Sequence, residues 1–179
     1  EVVHHYLHAG HIQPSVEWPD PGQAPGNEVV RLRAVRVRSE TGQVSDVLDI
    51  RKPIRVEIEY DVLKPGHKLV AQFGFNTEED VVAFIVNDRD PVWYRRPRPV
   101  GRYISTAWIP GNFLSEGTMV VGGGVFSEDP WHEHCDVPRA VGFRVIDPGT
   151  GDTARGDVTG RWEGVLRPLL RWSTEHTSP

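Results

Sequence analysis

The stretch GRYISTAWIPGNFLSEGTMVVGGGVF, Gly101 to Phe126, decides the fold. Both of its flanks alternate with the period of two that a strand imposes on its side chains, and the middle reads as a turn. Tyr103, Ser105, Ala107 and Ile109 fall on one face, and Arg102, Ile104, Thr106 and Trp108 on the other. Beyond the turn, Met119, Val121, Gly123 and Val125 share a face, opposite Thr118, Val120, Gly122, Gly124 and Phe126. This pattern predicts a β-hairpin with no clear water face, whereas an antiparallel sheet wetted on one side alternates cleanly between apolar and polar. Something therefore covers the second face: a ligand, a partner subunit or the rest of the chain. Gly122, Gly123 and Gly124 weaken a strand but leave a bare floor that another molecule or backbone can approach closely.

Working outward, Ile54 to Val62 is a half-buried strand, with Val56, Ile58 and Tyr60 inward and Arg55, Glu57, Glu59 and Asp61 outward. The outward carboxylates read as a solvated face rather than a glycosidase pair. Val29 to Arg38 is a second strand, and its alternation slips between Leu32 and Val35, which predicts a bulge. KLVAQFGFN and VVAFIVND form a hairpin about the acidic turn Thr77 to Asp80, the second run being apolar enough to predict a central strand. Asp88 to Val100, broken by Pro91, Pro97 and Pro99, is a surface loop, since each proline lacks the donor a ladder needs. Ser127 to Arg139 is a second loop, Ala140 to Asp147 resumes a strand, and Trp162 to Trp172 is a closing strand interrupted by Pro168. At the start, Glu1 to Ala9 has helical spacing, and His11 to Asn27, with four prolines, reads as an extended linker. About eight short strands with no long helical pattern define an all-β antiparallel β-sandwich over residues 28–179, preceded by a short N-terminal helical arm and linker over residues 1–27.

A chain of 179 residues accommodates one domain with a proper core plus an arm. Its net charge of -5, from 25 acidic and 20 basic residues, argues against a nucleic-acid partner, which calls for a basic surface. No apolar run approaches the ~20 residues of a membrane helix. The single cysteine, Cys135, excludes an intramolecular disulfide framework and fits a reducing compartment. Because the chain opens on Glu1 with neither an initiator methionine nor a signal core, it is expected to be cut from something longer.

Neither a phosphate-cradling GxxxxGK[ST] loop nor a GxSxG nucleophile elbow occurs, and no cofactor is expected. His4, His5, His8 and His11 can place two imidazoles on one helix face, but no third ligand accompanies them at zinc-protease spacing. His132 and His134, one residue apart, resemble a cupin pair. Pro138 and Arg139 stand in the interval where a cupin supplies its glutamate, and a metal-dependent sugar-modifying enzyme is kept as an alternative. Trp93, Tyr94, Trp108 and Trp131 lie in loops or on the doubtful face. Singly each is explained by packing, but together they offer platforms for the apolar face of a sugar ring. Arg95, Arg96, His132 and His134 stand beside them to bond its hydroxyls, so the candidate carbohydrate-binding set is Trp93, Tyr94, Arg95, Trp108, Trp131, His132 and His134. A second alternative is an interaction sandwich whose doubly apolar hairpin only makes a dimer.

Three blocks of the sequence resemble a known family. VGRYISTAWIPGNFLSEGTMVV from Val100, the strand Val141 to Asp147 of the form Phe-x-Val-x-Asp, and Gly164 to Trp172 of the form Gly-x-x-x-Pro-x-Leu-x-Trp are similar, in this order, to the C-terminal domain of Wzt-type proteins. These are the ATP-binding subunits of ABC transporters that export O-antigen polysaccharide. The resemblance, which covers Glu28 to Trp172, implies an immunoglobulin-like β-sandwich that is not an enzyme and binds the finished, modified end of the glycan, selecting it for export. It further implies a homodimer with exchange of the C-terminal strand, a transmembrane permease as partner of the full-length protein, and a place at the cytoplasmic face of the inner membrane. Glu1 to Tyr6 would then be the end of a nucleotide-binding domain, to which ATP hydrolysis belongs. No binding residue is carried over from the family by position.

Overall fold

The structure, a computed structural model, describes residues 13–178. The helical arm expected at Glu1 to Ala9 and the cluster of His4, His5, His8 and His11 lie outside the described residues. Within them the chain forms strands β1 (Ser15–Glu17), β2 (Val30–Arg38), β3 (Val47–Asp49), β4 (Ile54–Val62), β5 (Leu69–Thr77), β6 (Val82–Asn87), β7 (Gly101–Ile109), β8 (Gly117–Glu128) and β9 (Trp131–Ile146). They make two sheets, ordered β1-β2-β4-β7 and β3-β9-β8-β5-β6, packed face to face as an all-β sandwich. Every pairing is antiparallel except the short β3–β9 ladder.

Alternation builds the core. Val56, Ile58 and Tyr60 of β4 and Leu32, Val35 and Val37 of β2 point inward from the first sheet, meeting Phe73, Phe75, Val121, Val125, Val141 and Phe143 of the second. The slip in β2 is a bulge, with the register to β4 shifting between Leu32 and Ala34. The extra residue keeps Arg33, Arg36 and Arg38 all on the outer face, where they meet Asp61 at 2.6 Å, Glu59 at 2.7 Å and Glu57 at 2.6 Å. The carboxylates read as a solvated face are thus the acidic half of an ion-pair ladder.

The opening stretch is not a hairpin. Its first flank, β7, pairs with β4 at the edge of one sheet, while its second, β8, lies between β5 and β9 in the other. The turn at Pro110 to Glu116 therefore crosses between sheets, which explains the two apolar faces without a stacked cover for both strands. β8 is central and buried through nearly its whole length, while on β7 Ile104 and Trp108 remain 58% and 61% exposed.

Nor are the three glycines a bare floor. A Cβ on Gly122 would lie 2.5 Å from the Pro138 carbonyl oxygen, one on Gly124 would lie 2.6 Å from that of Cys135, and Gly123 faces the Phe73 ring in the core. The bulged strand β9 occupies the vacated space, with its register to β8 shifting between Val121 and Gly123. This also corrects the loop expected over Ser127 to Arg139. β9 runs through it, and Pro138 is tolerated because it sits at the bulge, where no regular ladder bond is due.

Three further expectations change. β6 is an edge strand rather than a central one, with Val82 and Ile85 exposed. An apolar run of that length cannot by its periodicity distinguish the two positions. The proline-rich stretch before Asn27 contributes β1 to the first sheet, and Gly142 donates to the Gln13 carbonyl across to the second. Trp162 to Trp172 forms no sheet strand. It runs extended beside residues 112–115, where Ser115 donates to Val165, Arg167 to Phe113 and Leu169 to Asn112.

Gly122→Ala and Gly124→Ala are expected to destabilise the protein by about 1–3 kcal/mol through overpacking against the β9 backbone. Gly74→Ala, at a strand position with open space above it, should be near neutral. Urea unfolding of the three variants checks the ranking.

Candidate functional site

Strand order and register place the two histidines and most of the aromatic candidates at one end of the sandwich. Val62 of β4 pairs with Gly101 of β7, Ser127 of β8 with Leu69 of β5, and His132 of β9 with Ser127, so the turn after β8, the loop after β6 and the connection before β5 gather at the same end.

The loop at residues 88–100 is well braced for a segment with three prolines. Asp88 accepts from the Asp90 amide and Asp90 from that of Val92, two turns in which a carboxylate bonds the backbone two residues on. The Asp90 carbonyl then accepts from Trp93 and Tyr94. The anchor is Arg98, a residue the sequence reading passed over. Its side chain is only 2% exposed, and its guanidinium lies 5.7 Å from the Tyr60 ring, 5.4 Å from Tyr103 and 6.0 Å from Trp93. It donates to Asp88 at 2.8 Å, and Ser105 donates to the same carboxylate oxygen at 2.9 Å. Burial lowers the Arg98 pKa, and the three ring faces and one carboxylate offset the cost of holding its charge there. Trp93 is thereby fixed edge-on to Tyr103 at 5.3 Å, so it is a packing residue of the loop as well as a half-exposed aromatic.

Tyr94 stands between two guanidiniums, Arg89 at 4.8 Å and Arg95 at 5.0 Å. Arg89 bridges on to Glu128 at 2.8 Å, and Glu128 pairs across the turn with Trp131. The Arg89 hydrogen bond, helped by the charges of Arg89 and Arg95, holds the Glu128 carboxyl below its usual range. Trp131 is 67% exposed and rests on Phe126 at 5.8 Å, whose ring in turn covers Gly124. Tyr94, Arg95, Trp131 and exposed His132 are thus joined through the Arg89–Glu128 bridge into one surface with one open aromatic platform, Trp131, and oriented charged groups.

His134 plays a different part. It is 6% exposed, lies 4.8 Å from the His132 ring and 5.7 Å from the His67 ring, and uses both of its nitrogens. Asn27 Oδ1 accepts from the Val29 and Val30 amides, so its Nδ2 must donate to His134 Nδ1, leaving Nε2–H to donate to Ser127 Oγ at 2.8 Å. That chain of donors requires a neutral imidazole and leaves no lone pair for a metal. Among the described residues no three His, Cys, Asp or Glu side chains converge on a possible metal position.

Trp108 stands apart. It lies on the outer face of the other sheet with Arg55 stacked at 4.8 Å, seven residues along β7 from the gathered end, a separation of about 23 Å at strand rise. Among the described residues no helix is long and apolar enough to cross a membrane.

Burial, with repulsion from His132 and His67, lowers the His134 pKa from 6.5. Below that pH the unfolded chain takes up a proton that the native one resists, so stability falls as the pH drops. The urea midpoint should decrease from about pH 7.5 to about pH 5.5, and His134→Gln should flatten the dependence. Arg98→Ala, which strands Asp88 and opens a cavity, should cost about 3 kcal/mol in the same assay.

No family model matches the sequence, and no curated protein matches it significantly. Among solved structures, a crystal structure of the C-terminal domain of Wzt aligns with 92% of this chain and 91% of its own, with a TM-score of 0.64 and 10% sequence identity. The chain has the fold of the Wzt C-terminal domain.

Proposed function

We propose that this chain is a non-catalytic carbohydrate-binding module that recognises the modified terminus of an O-antigen-type polysaccharide and selects it for export by an ABC transporter. The observation that carries this reading is the fold shared with the Wzt C-terminal domain over nearly the whole of both chains. The gathered end of the sandwich supports it. Trp131 supplies an exposed ring face for the apolar side of a pyranose, while Arg95, Arg89, Glu128, His132 and the Tyr94 hydroxyl supply donors and acceptors for its hydroxyls, with Tyr94 holding the two guanidiniums in place. Trp93 and His134 serve this surface from beneath, one by packing the loop and the other by pinning the strand turn. Within a transporter the module works in the cytoplasm at the inner membrane, on a homodimer of full-length chains beside the permease, with ATP hydrolysis in a preceding domain.

Saturation-transfer NMR with oligosaccharides carrying the finished end of the O-polysaccharide from the producing strain tests this. Contacts are expected to Trp131 and Tyr94. Trp131→Ala should weaken binding roughly tenfold, the equivalent of about 1.4 kcal/mol for a lost aromatic platform. Absence of any transfer to the folded protein would remove the proposal.

A further inference from the structure

Between β6 and β7, the edge strands of the two sheets, lies a cleft of about 230 Å³ that reaches the core. Ala71 and Phe73 of the core form its floor, with Val86 and Ala107 packed beside them. Pockets that take a whole drug-sized ligand begin at about 300 Å³, so a space of this size suits one part of a ligand whose remainder lies outside. Arg89 marks where that remainder would lie. The same side chain that lines the cleft stacks on Tyr94 at 4.8 Å and bridges to Glu128 at 2.8 Å, so the cleft shares a wall with the candidate sugar surface.

The polar groups at the rim are already engaged. Asp88 Oδ2 accepts from Arg98 and Ser105, and its Oδ1 accepts from the Asp90 amide. Both oxygens of Glu128 hold Arg89. No free cation therefore faces the cleft among the described residues lining it. On the β7 wall Ser105 is occupied and Thr106 lies on the outer face of the sheet, which leaves the backbone. β7 ends its sheet, and alternate residues of such an edge direct N–H and C=O away from the ladder, so at least one of Ser105, Thr106 and Ala107 presents both to the open side.

We infer that this cleft reads the terminal modification of the bound glycan, and that the modification is a short acyl group carried on the sugar as an ester or an amide. The inference rests on the sugar reading of the gathered end and names what that reading leaves open. An acyl group matches the cleft at both of its ends: the alkyl part covers the apolar floor, and the carbonyl accepts from the free edge N–H. A bare hydroxyl would bury no apolar surface there. A phosphate or carboxylate would lose its water without meeting a free cation. The Arg98–Asp88–Ser105 network then has a use beyond bracing the loop, since it fixes the rim and keeps its carboxylate from competing for the edge donor. Ala107 sets the depth of the cleft, and a larger side chain at that position would fill it.

Methyl NMR of the whole chain tests this with methyl glycosides carrying one O-acetyl group, one N-acetyl group or neither. At least one acetylated glycoside should shift the Ala71 and Ala107 methyl signals saturably, the unacylated one should not, and the one that acts tells ester from amide. Ala107→Leu should abolish the shift at Ala71. It should also weaken binding of the finished oligosaccharide about tenfold, to the level of the same oligosaccharide stripped of its acyl groups by hydrazinolysis. The wild-type titration stands even if the leucine variant does not fold. Alanine methyls that neither acetylated glycoside moves, or a stripped oligosaccharide that binds the wild type as tightly as the intact one, would overturn the assignment. Transfer to Trp131 with no shift at the two alanines removes this inference and leaves the sugar reading standing. Acetyl-dependent shifts without transfer from any oligosaccharide do the reverse.

Discussion

The close approach of β9 to β8 is the constraint from which much of the molecule follows. A ladder of this kind normally keeps a Cβ at every position, but at Gly122 and Gly124 the neighbouring carbonyls of Pro138 and Cys135 stand where those atoms would be. Only glycine permits that approach, and the approach permits the bulges. The bulges in turn let one sixteen-residue strand start with Trp131, His132 and His134 at the end of the sandwich, carry a proline at Pro138, and continue past it through the core ladder. The glycines therefore shape the candidate site without forming its floor.

A similar economy governs the loop after β6. Three prolines deny it ladder bonds, and two aspartates replace them with local turns. What fixes it to the body is a cation rather than an apolar plug: Arg98, enclosed by Tyr60, Tyr103 and Trp93 and tied to Asp88. An arginine so enclosed must satisfy both ring geometry and ion-pair geometry, and this sets the loop more narrowly than a leucine of the same volume would.

Much of the sandwich was legible in the sequence because period-two alternation reports burial directly. The inward and outward faces of β4 and β7 stand as their residues predict, and the slip in β2 marks a real bulge. Pairing was less legible. Alternation says which way a side chain faces but not which strand lies alongside, so two strands joined by a short turn read as a hairpin although they belong to opposite sheets. At the candidate site, residue type flagged Tyr94, Trp131 and His132. Arg98 and Asn27 went unnoticed because arginine between prolines and asparagine before a strand read as ordinary surface. The aspartates two apart, followed by an arginine locked between two prolines, are the signal that would have pointed to a braced loop.

The entry of the chain into the fold has a mechanical meaning. Pro14 accepts from Val37 in one sheet while Gln13 accepts from Gly142 in the other, immediately ahead of the three paired residues of β1. A pull transmitted along the preceding segment would load hydrogen bonds to both sheets together, in shear, rather than peel one strand away bond by bond. The first described residues are thus held by both layers of the sandwich at once, and separating them from either sheet means breaking bonds to the other as well.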